Sequence, residues 1–183
     1  DGCLSSCGAA WQSAPAATEL LVHQAGWMHE NFSQKPLLQV FDSGSAALWR
    51  ELHLNGLHWL AVAPGGTRVH HEDSATHLLA VAKTLAHQPL AVSSVLPGLE
   101  QLVGHPVADI AIWAAEAPVV QVSRQKDNLP VRLVSVRIMH RVTGDTLKTL
   151  VAASNAPALY ATDYLAAAVL VRHEARAVAR HAG

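Results

Sequence analysis

The sequence is poor in charge: only 15% of its residues are Asp, Glu, Lys or Arg, and the net charge is −1 with histidine neutral. That balance excludes the basic surface on which nucleic-acid binding ordinarily rests. It also lacks an apolar run of about 18 residues, so no transmembrane helix is expected. The best candidate, residues 156–171, is interrupted by Asp163. Cysteine is confined to Cys3 and Cys7, in GCLSSC. Two cysteines can build neither a disulfide framework nor a closed Cys-rich zinc site. A bridge between them would close a very short loop and stabilise little, so we read two ordinary thiols in an N-terminal tail. There is no G-x-S-x-G, so Ser/His/Asp catalysis has no support, and no Gly-rich phosphate loop appears. No signal-peptide pattern is seen. The chain starts at Asp1 rather than Met, which reads as a processed start or a trimmed piece, and the residues do not choose between the two.

What is present suits one domain. With 183 residues, half of them hydrophobic, the chain can bury a real core. Twelve histidines make it clearly cationic below about pH 6. No internal repeat and no dividing linker is visible.

The stretch ALWRELHLNGLHWLAVA, residues 47–63, reads as a β-hairpin. Asn55-Gly56 between two apolar runs is the strongest short-range signal for one, because a type I′ turn needs φ > 0 at both central residues. With that pair as the loop, Leu48, Arg50, Leu52, Leu54, Leu57, Trp59 and Ala61 share one face, and Trp49, Glu51, His53, His58 and Leu60 share the other. The first face is the apolar one and should meet the core. Arg50 would then point inward, and a buried guanidinium needs a partner. A structural ion pair and a pocket for an anionic ligand are the two readings. His53 and His58 become a cross-strand pair on the outer face, turned to water or a partner.

Elsewhere, residues 1–16 read as an extension and 16–32 as a helix, with Leu21, Met28 and Phe32 near one face. A short strand covers 36–41. Asp73 is placed as N-cap of a helix reaching about His87. A short helical stretch lies around LEQLV, and strands are read at 108–113 and 119–123. A second hairpin spans 132–153 with Gly144-Asp145 as its loop. In that register Val142 faces Leu147, His140 faces Thr149, Ile138 faces Val151 and Val136 faces Ala153. Arg137, Arg141 and Lys148 fall on the solvated face. Residues 157–181 read as a long Ala-rich helix with Arg172, Arg176 and Arg180 on one stripe. Hairpins imply antiparallel pairing, so the class is α+β: an antiparallel sheet built from hairpins, helices on one face, and a C-terminal helix.

Taken in order, these pieces resemble the chorismate lyase fold, shared by ligand-sensing domains of some bacterial transcription regulators. WMHENF supplies a Met and a Phe four residues later, Met28 and Phe32. LWREL places Arg50 where the family carries its substrate-carboxylate arginine. Trp59-Leu60-Ala61 returns the hairpin, and Gln88-Pro89-Leu90-Ala91 closes the next helix. The late hairpin carries Arg137 and Arg141 rather than a strict Arg-x-Arg, and Ala156-Pro157-Ala158-Leu159-Tyr160 resembles the closing segment. The resemblance covers about 17–160, leaving 1–16 as an N-terminal and 161–183 as a C-terminal helical extension. It implies a ligand pocket formed by Arg50, Met28, Trp59, Leu90 and Val151. The lyases place a carboxylate on the second strand of the late hairpin as acid/base partner in pyruvate elimination. Here that position falls on Val151 or Ala152, and no acid occurs between Asp145 and Asp163. Losing a positioned general acid costs about 10²–10⁴-fold in rate.

His70-His71-Glu72-Asp73 with His77 is not H-E-x-x-H, and we assign no metal there. The arginine stripe on the last helix is most simply solvated. Its spacing also suits an acidic protein partner or lipid headgroups. These readings lead to three expectations. The first is a non-catalytic accessory or scaffold subunit of a larger assembly, which a processed start would fit to the mitochondrion, held to other subunits by its extensions and needing no cofactor. The second is a carboxylate- or phosphate-binding protein using Arg50. The third is a lyase with a relocated acid, for which Glu116 is the candidate.

Overall fold

A computed structural model describes residues 14–31, 38–41, 46–90, 98–121 and 128–181, with side chains described over 22–31, 38–41, 47–90, 98–121 and 128–173. Cys3, Cys7, Phe32 and Ala91 therefore lie outside the described residues.

The order along the chain is α1 (Ala14–Asn31), β1 (Gln39–Phe41), α2 (Ala46–Leu54), β2 (Trp59–Val62), β3 (Arg68–His71), β4 (Ser74–His77), α3 (Leu78–Thr84), β5 (Gln88–Pro89), α4 (Leu99–Val103), β6 (Ile110–Gln121), β7 (Leu129–His140), β8 (Thr146–Ser154) and α5 (Thr162–His181). The strands form one eight-stranded sheet in the order β1-β2-β8-β7-β6-β3-β4, with β5 pairing β6 off that path. All described pairings are antiparallel except β1 with β2. The class is α+β, with a mixed, mostly antiparallel sheet and a C-terminal helix.

Side chains alternate along the long strands and divide the interior in two. On face one, Trp59 and Ala61 of β2, Val151 and Ala153 of β8, Val131 and Leu133 of β7 and Ala117 and Val119 of β6 pack under helices α1, α2 and α3. On face two, Leu60, Leu150, Val134, Val136, Ile112 and Ala114 pack under α4 and α5. α5, expected as an extension, supplies Leu165, Ala166, Val169 and Leu170 to this second core.

The expected hairpin at 47–63 is not formed. Residues 46–54 are the helix α2, and only the return strand survives, as β2. Leu48, Trp49 and Leu52 are buried while Glu51 and His53 are exposed, a helical spacing rather than an alternation. Asn55-Gly56 ends the helix. The amide of Leu57 donates to the carbonyl of Leu52, and that of Gly56 to His53, both at 3.0 Å. Gly56 sits at φ 66. These two bonds make a Schellman cap, with Leu52 and Leu57 buried together beneath it. β1 runs parallel to β2, with Gln39 opposite Trp59. Parallel neighbours need a crossover, and α2 is that crossover.

Asp73 likewise does not cap a helix. Glu72 and Asp73, at φ 47 and 61, form the two-residue loop joining β3 to β4, where His71 pairs with Ser74. Positive φ at both positions is the I′ hairpin geometry. The helix that follows begins only at Leu78. The two strands read at 108–113 and 119–123 are one strand, β6, which pairs with β7 along its whole length.

The late hairpin exists in a different register. Val136 opposes Leu150, Ile138 opposes Lys148 and Val134 opposes Ala152. The loop is longer than two residues and is held by its own side chains. His140 Nδ1 accepts the amides of Val142 and Thr143 at 3.3 and 3.2 Å, and the Thr143 hydroxyl donates to Asp145 at 2.6 Å. The basic residues do not share a solvated face. Arg137 donates to the carbonyls of Ala82 and Lys83 at 3.1 and 2.7 Å, satisfying the end of α3. Lys148 donates to the carbonyl of Leu102 at 3.2 Å on the other side, and exposed Arg141 donates to Ile110 at 2.9 Å.

Arg132 fastens α5 to the sheet. Its Nη1 donates to the carbonyls of Ala156, Pro157 and Tyr160 at 3.1, 2.9 and 3.1 Å, and its Nη2 bonds Glu116. Bonds to charged groups are worth about 1.5–3 kcal/mol each and are not additive. Arg132→Ala should therefore destabilise the fold by about 3 kcal/mol in urea unfolding. Glu116→Gln, at a more exposed pair, should cost under about 1 kcal/mol. Equal losses would contradict the assignment of the carbonyls as the main partners.

Candidate functional site

The residues expected around a ligand divide between the two sides of the sheet. Trp59 on β2 and Val151 on β8 meet in the face-one core. Arg50 lies on α2, which covers that core, and is half-buried; Met28 on α1 is also half-buried. Leu90 packs instead against the face-two core, so the sheet separates it from Trp59 and Val151. Glu116 bonds Arg132 on the face-two side and is thereby removed as an acid facing Arg50. His53 is exposed on α2, and His58 precedes β2 with its ring edge-on to Tyr160 at 6.1 Å, so they are not a cross-strand pair. Arg172 on α5 is half-buried, and the side chains of Arg176 and Arg180 lie outside the described residues. His71 Nδ1 bonds the carbonyl of Pro118 at 3.1 Å. Among the described residues, no three His, Cys, Asp or Glu side chains group as metal ligands do. No described helix is long and apolar enough to cross a membrane.

Two features of face one were not expected from the sequence. The first is a stacked pair of indoles. Trp49 of α2 lies on Trp59 of β2, centroids 5.2 Å apart and planes 24° from parallel. Both are fully buried, and among the described residues neither indole N–H has a hydrogen-bond partner. Each such orphan donor costs about 1–3 kcal/mol unless an acceptor reaches it. The alternating hairpin reading had put Trp49 outside; helical spacing puts it in.

The second is a polar pair beside Val151. Ser135 of β7 is opposed by Ala115 on β6 and Val151 on β8. It is fully buried, and its Oγ lies 2.9 Å from His87 Nε2. The other ring nitrogen, Nδ1, lies 2.9 Å from the carbonyl of Leu85. A carbonyl only accepts, so Nδ1 carries the proton and the neutral ring accepts the serine proton at Nε2. Burial pushes the His87 pKa below its ordinary 6.5, against the raising effect of the Leu85 carbonyl, and the nearby Arg137 charge lowers it further. Because the two residues are 48 positions apart, no local spacing could have announced them. The only hint is a lone serine inside the apolar run of β7.

A scan against models of known protein families matches none, and a search of curated proteins finds no relative.

The His87 environment sets a pH dependence. The folded pKa is lowered, so below 6.5 the unfolded chain binds more protons than the folded one. The stability contributed by the neutral ring is then fully present above 6.5 and is lost as pH falls through that value toward the lowered folded pKa. His87→Gln should flatten this part of the decline in denaturant-measured stability between pH 7 and 5. An unchanged slope in the variant would show that His87 is not held neutral.

Proposed function

We propose that this chain is a non-catalytic accessory subunit of a larger protein assembly, on a chorismate-lyase-like fold that has lost the elimination chemistry. One observation carries the reading. Val151 and Ala152, where the resemblance requires the acid, are core side chains exposed by only 6% and 0%. A carboxylate there would have to be desolvated among valines and alanines. The candidate substitute, Glu116, is bonded to Arg132 and packs toward the opposite side of the sheet. With neither position able to deliver a proton to a ligand at Arg50, pyruvate elimination has no general acid. The apolar side chains left in water supply the complementary support for a partner. Leu159 and Tyr164, 67% and 48% exposed, flank the start of α5, and Leu54 at the end of α2 is 70% exposed. Native mass under gentle extraction from the protein's own source tests this. Migration in a large complex with co-purifying chains is the expected result. A free species at 19.5 kDa would overturn it.

A second reading is favoured by the indole pair. Two buried N–H donors without acceptors among the described residues, one of them on the helix that also carries Arg50, suit a small molecule bearing a carboxylate. Such a ligand would accept from the indoles while a cation balances its charge. Titration with aromatic carboxylates should then change tryptophan emission saturably. Arg50→Ala should abolish the change in protein that circular dichroism shows to be folded. No response at millimolar ligand would remove the reading.

A further inference from the structure

We propose that Ser135 and His87 form a nucleophile–base pair that accepts a small acyl group, a reactivity separate from the accessory role and independent of any ligand at Arg50. A serine hydroxyl is a weak nucleophile until a base takes its proton, and the base must present the correct nitrogen. Here the Leu85 carbonyl holds the hydrogen on His87 Nδ1 at 2.9 Å, and Nε2 faces Ser135 Oγ at 2.9 Å. The carbonyl thus does the orienting work that a third side chain does in a catalytic triad. The charge of Arg137, two residues along the same strand, opposes protonation of the ring, which keeps the lone pair on Nε2 ready near neutral pH.

The fold itself does not require the pair. Neighbours of Ser135 on the same face of β7 are Leu133, with Val131 beyond it, and Arg137, whose guanidinium is turned to the end of α3, and its cross-strand neighbours are Ala115 and Val151. An apolar residue at 135 would complete that row, and replacing both members of a buried polar pair by apolar groups is close to neutral for stability. The same neighbours fix the substrate class. The walls are apolar and Ser135 has no exposed surface. Approach runs past the half-exposed His87, beside the two exposed residues of β5 that pair with the β6 edge. Among such neighbours a short, uncharged acyl ester has the least to desolvate, and it would reach Ser135 by local opening of the two-residue β5.

In the reaction, Ser135 Oγ bonds to the acyl carbonyl carbon while its proton passes to His87 Nε2. The bond from that carbon to the leaving oxygen then breaks, and Nε2 returns the proton to it. The products are an ester on Ser135 and a neutral alcohol. Water attacking the ester by the same two proton transfers releases the acid and restores the hydroxyl.

The test uses the whole folded chain and p-nitrophenyl acetate, reading p-nitrophenol release, intact mass and the modified peptide. One acetyl group on Ser135 is expected. It should be absent in Ser135→Ala and formed at least about 100-fold more slowly in His87→Gln, and its rate should rise through an inflection below the ordinary histidine value. No acetyl on Ser135, or labelling that persists in Ser135→Ala, would overturn the proposal. Should Ser135→Ala fail to fold, Ser135→Cys gives an independent reading by iodoacetamide. A thiol that ionises well below about 8.5 supports the pair, and one that ionises at the ordinary value overturns it.

Discussion

The β7 strand is paired on both edges and buried on both faces, and the arrangement of the molecule follows from that constraint. With β6 on one side and β8 on the other, consecutive β7 side chains must enter opposite cores. Leu133 goes under α1–α3 and Val134 under α4 and α5. The polar residues of the strand obey the same alternation. Arg132 reaches the turn before α5, Ser135 reaches His87, and Arg137 reaches the end of α3. Each ties a covering helix or connection to the central strand, so the docking of both helical layers is written into one strand.

This arrangement also decides what the face-one interior can do chemically. Under the chorismate-lyase resemblance the acid would fall on Val151, in this core, or on Ala152, which faces the other one, and Glu116 is bonded to Arg132 on that other side. Polar groups near this core are of another kind: a neutral histidine on a serine, and two indole N–H groups. These can bind an oxygen or activate a hydroxyl, but none is a carboxylic acid. An interior of this composition agrees with the proposal that the chain performs no pyruvate elimination.

Much of the fold was legible in the sequence where the signal is local and long. The two terminal helices, LEQLV and the late hairpin lie close to their expected positions, because hydrophobic period and capping residues are local properties. Asn55-Gly56 misled because a left-handed glycine serves a hairpin turn and a helix end equally. The burial of Trp49 with Leu48 and Leu52, against the exposure of Glu51 and His53, decides for the helix. A strand at 47–54 would have turned Trp49 to the surface. The shifted register of the β7–β8 hairpin has a similar cause: side-chain bonds from His140 and Thr143 hold a longer loop than the glycine alone implies. Beyond the lone serine in β7, the His87–Ser135 pair was not legible, since it depends on β5 and β7 pairing along opposite edges of β6, which fixes His87, just before β5, against Ser135.

The proposal that this chain performs no pyruvate elimination is tested by incubating the purified chain with chorismate and measuring pyruvate. The account predicts no release above the uncatalysed rate. Release that scales with the amount of chain, and disappears in Arg50→Ala at unchanged stability, would contradict it.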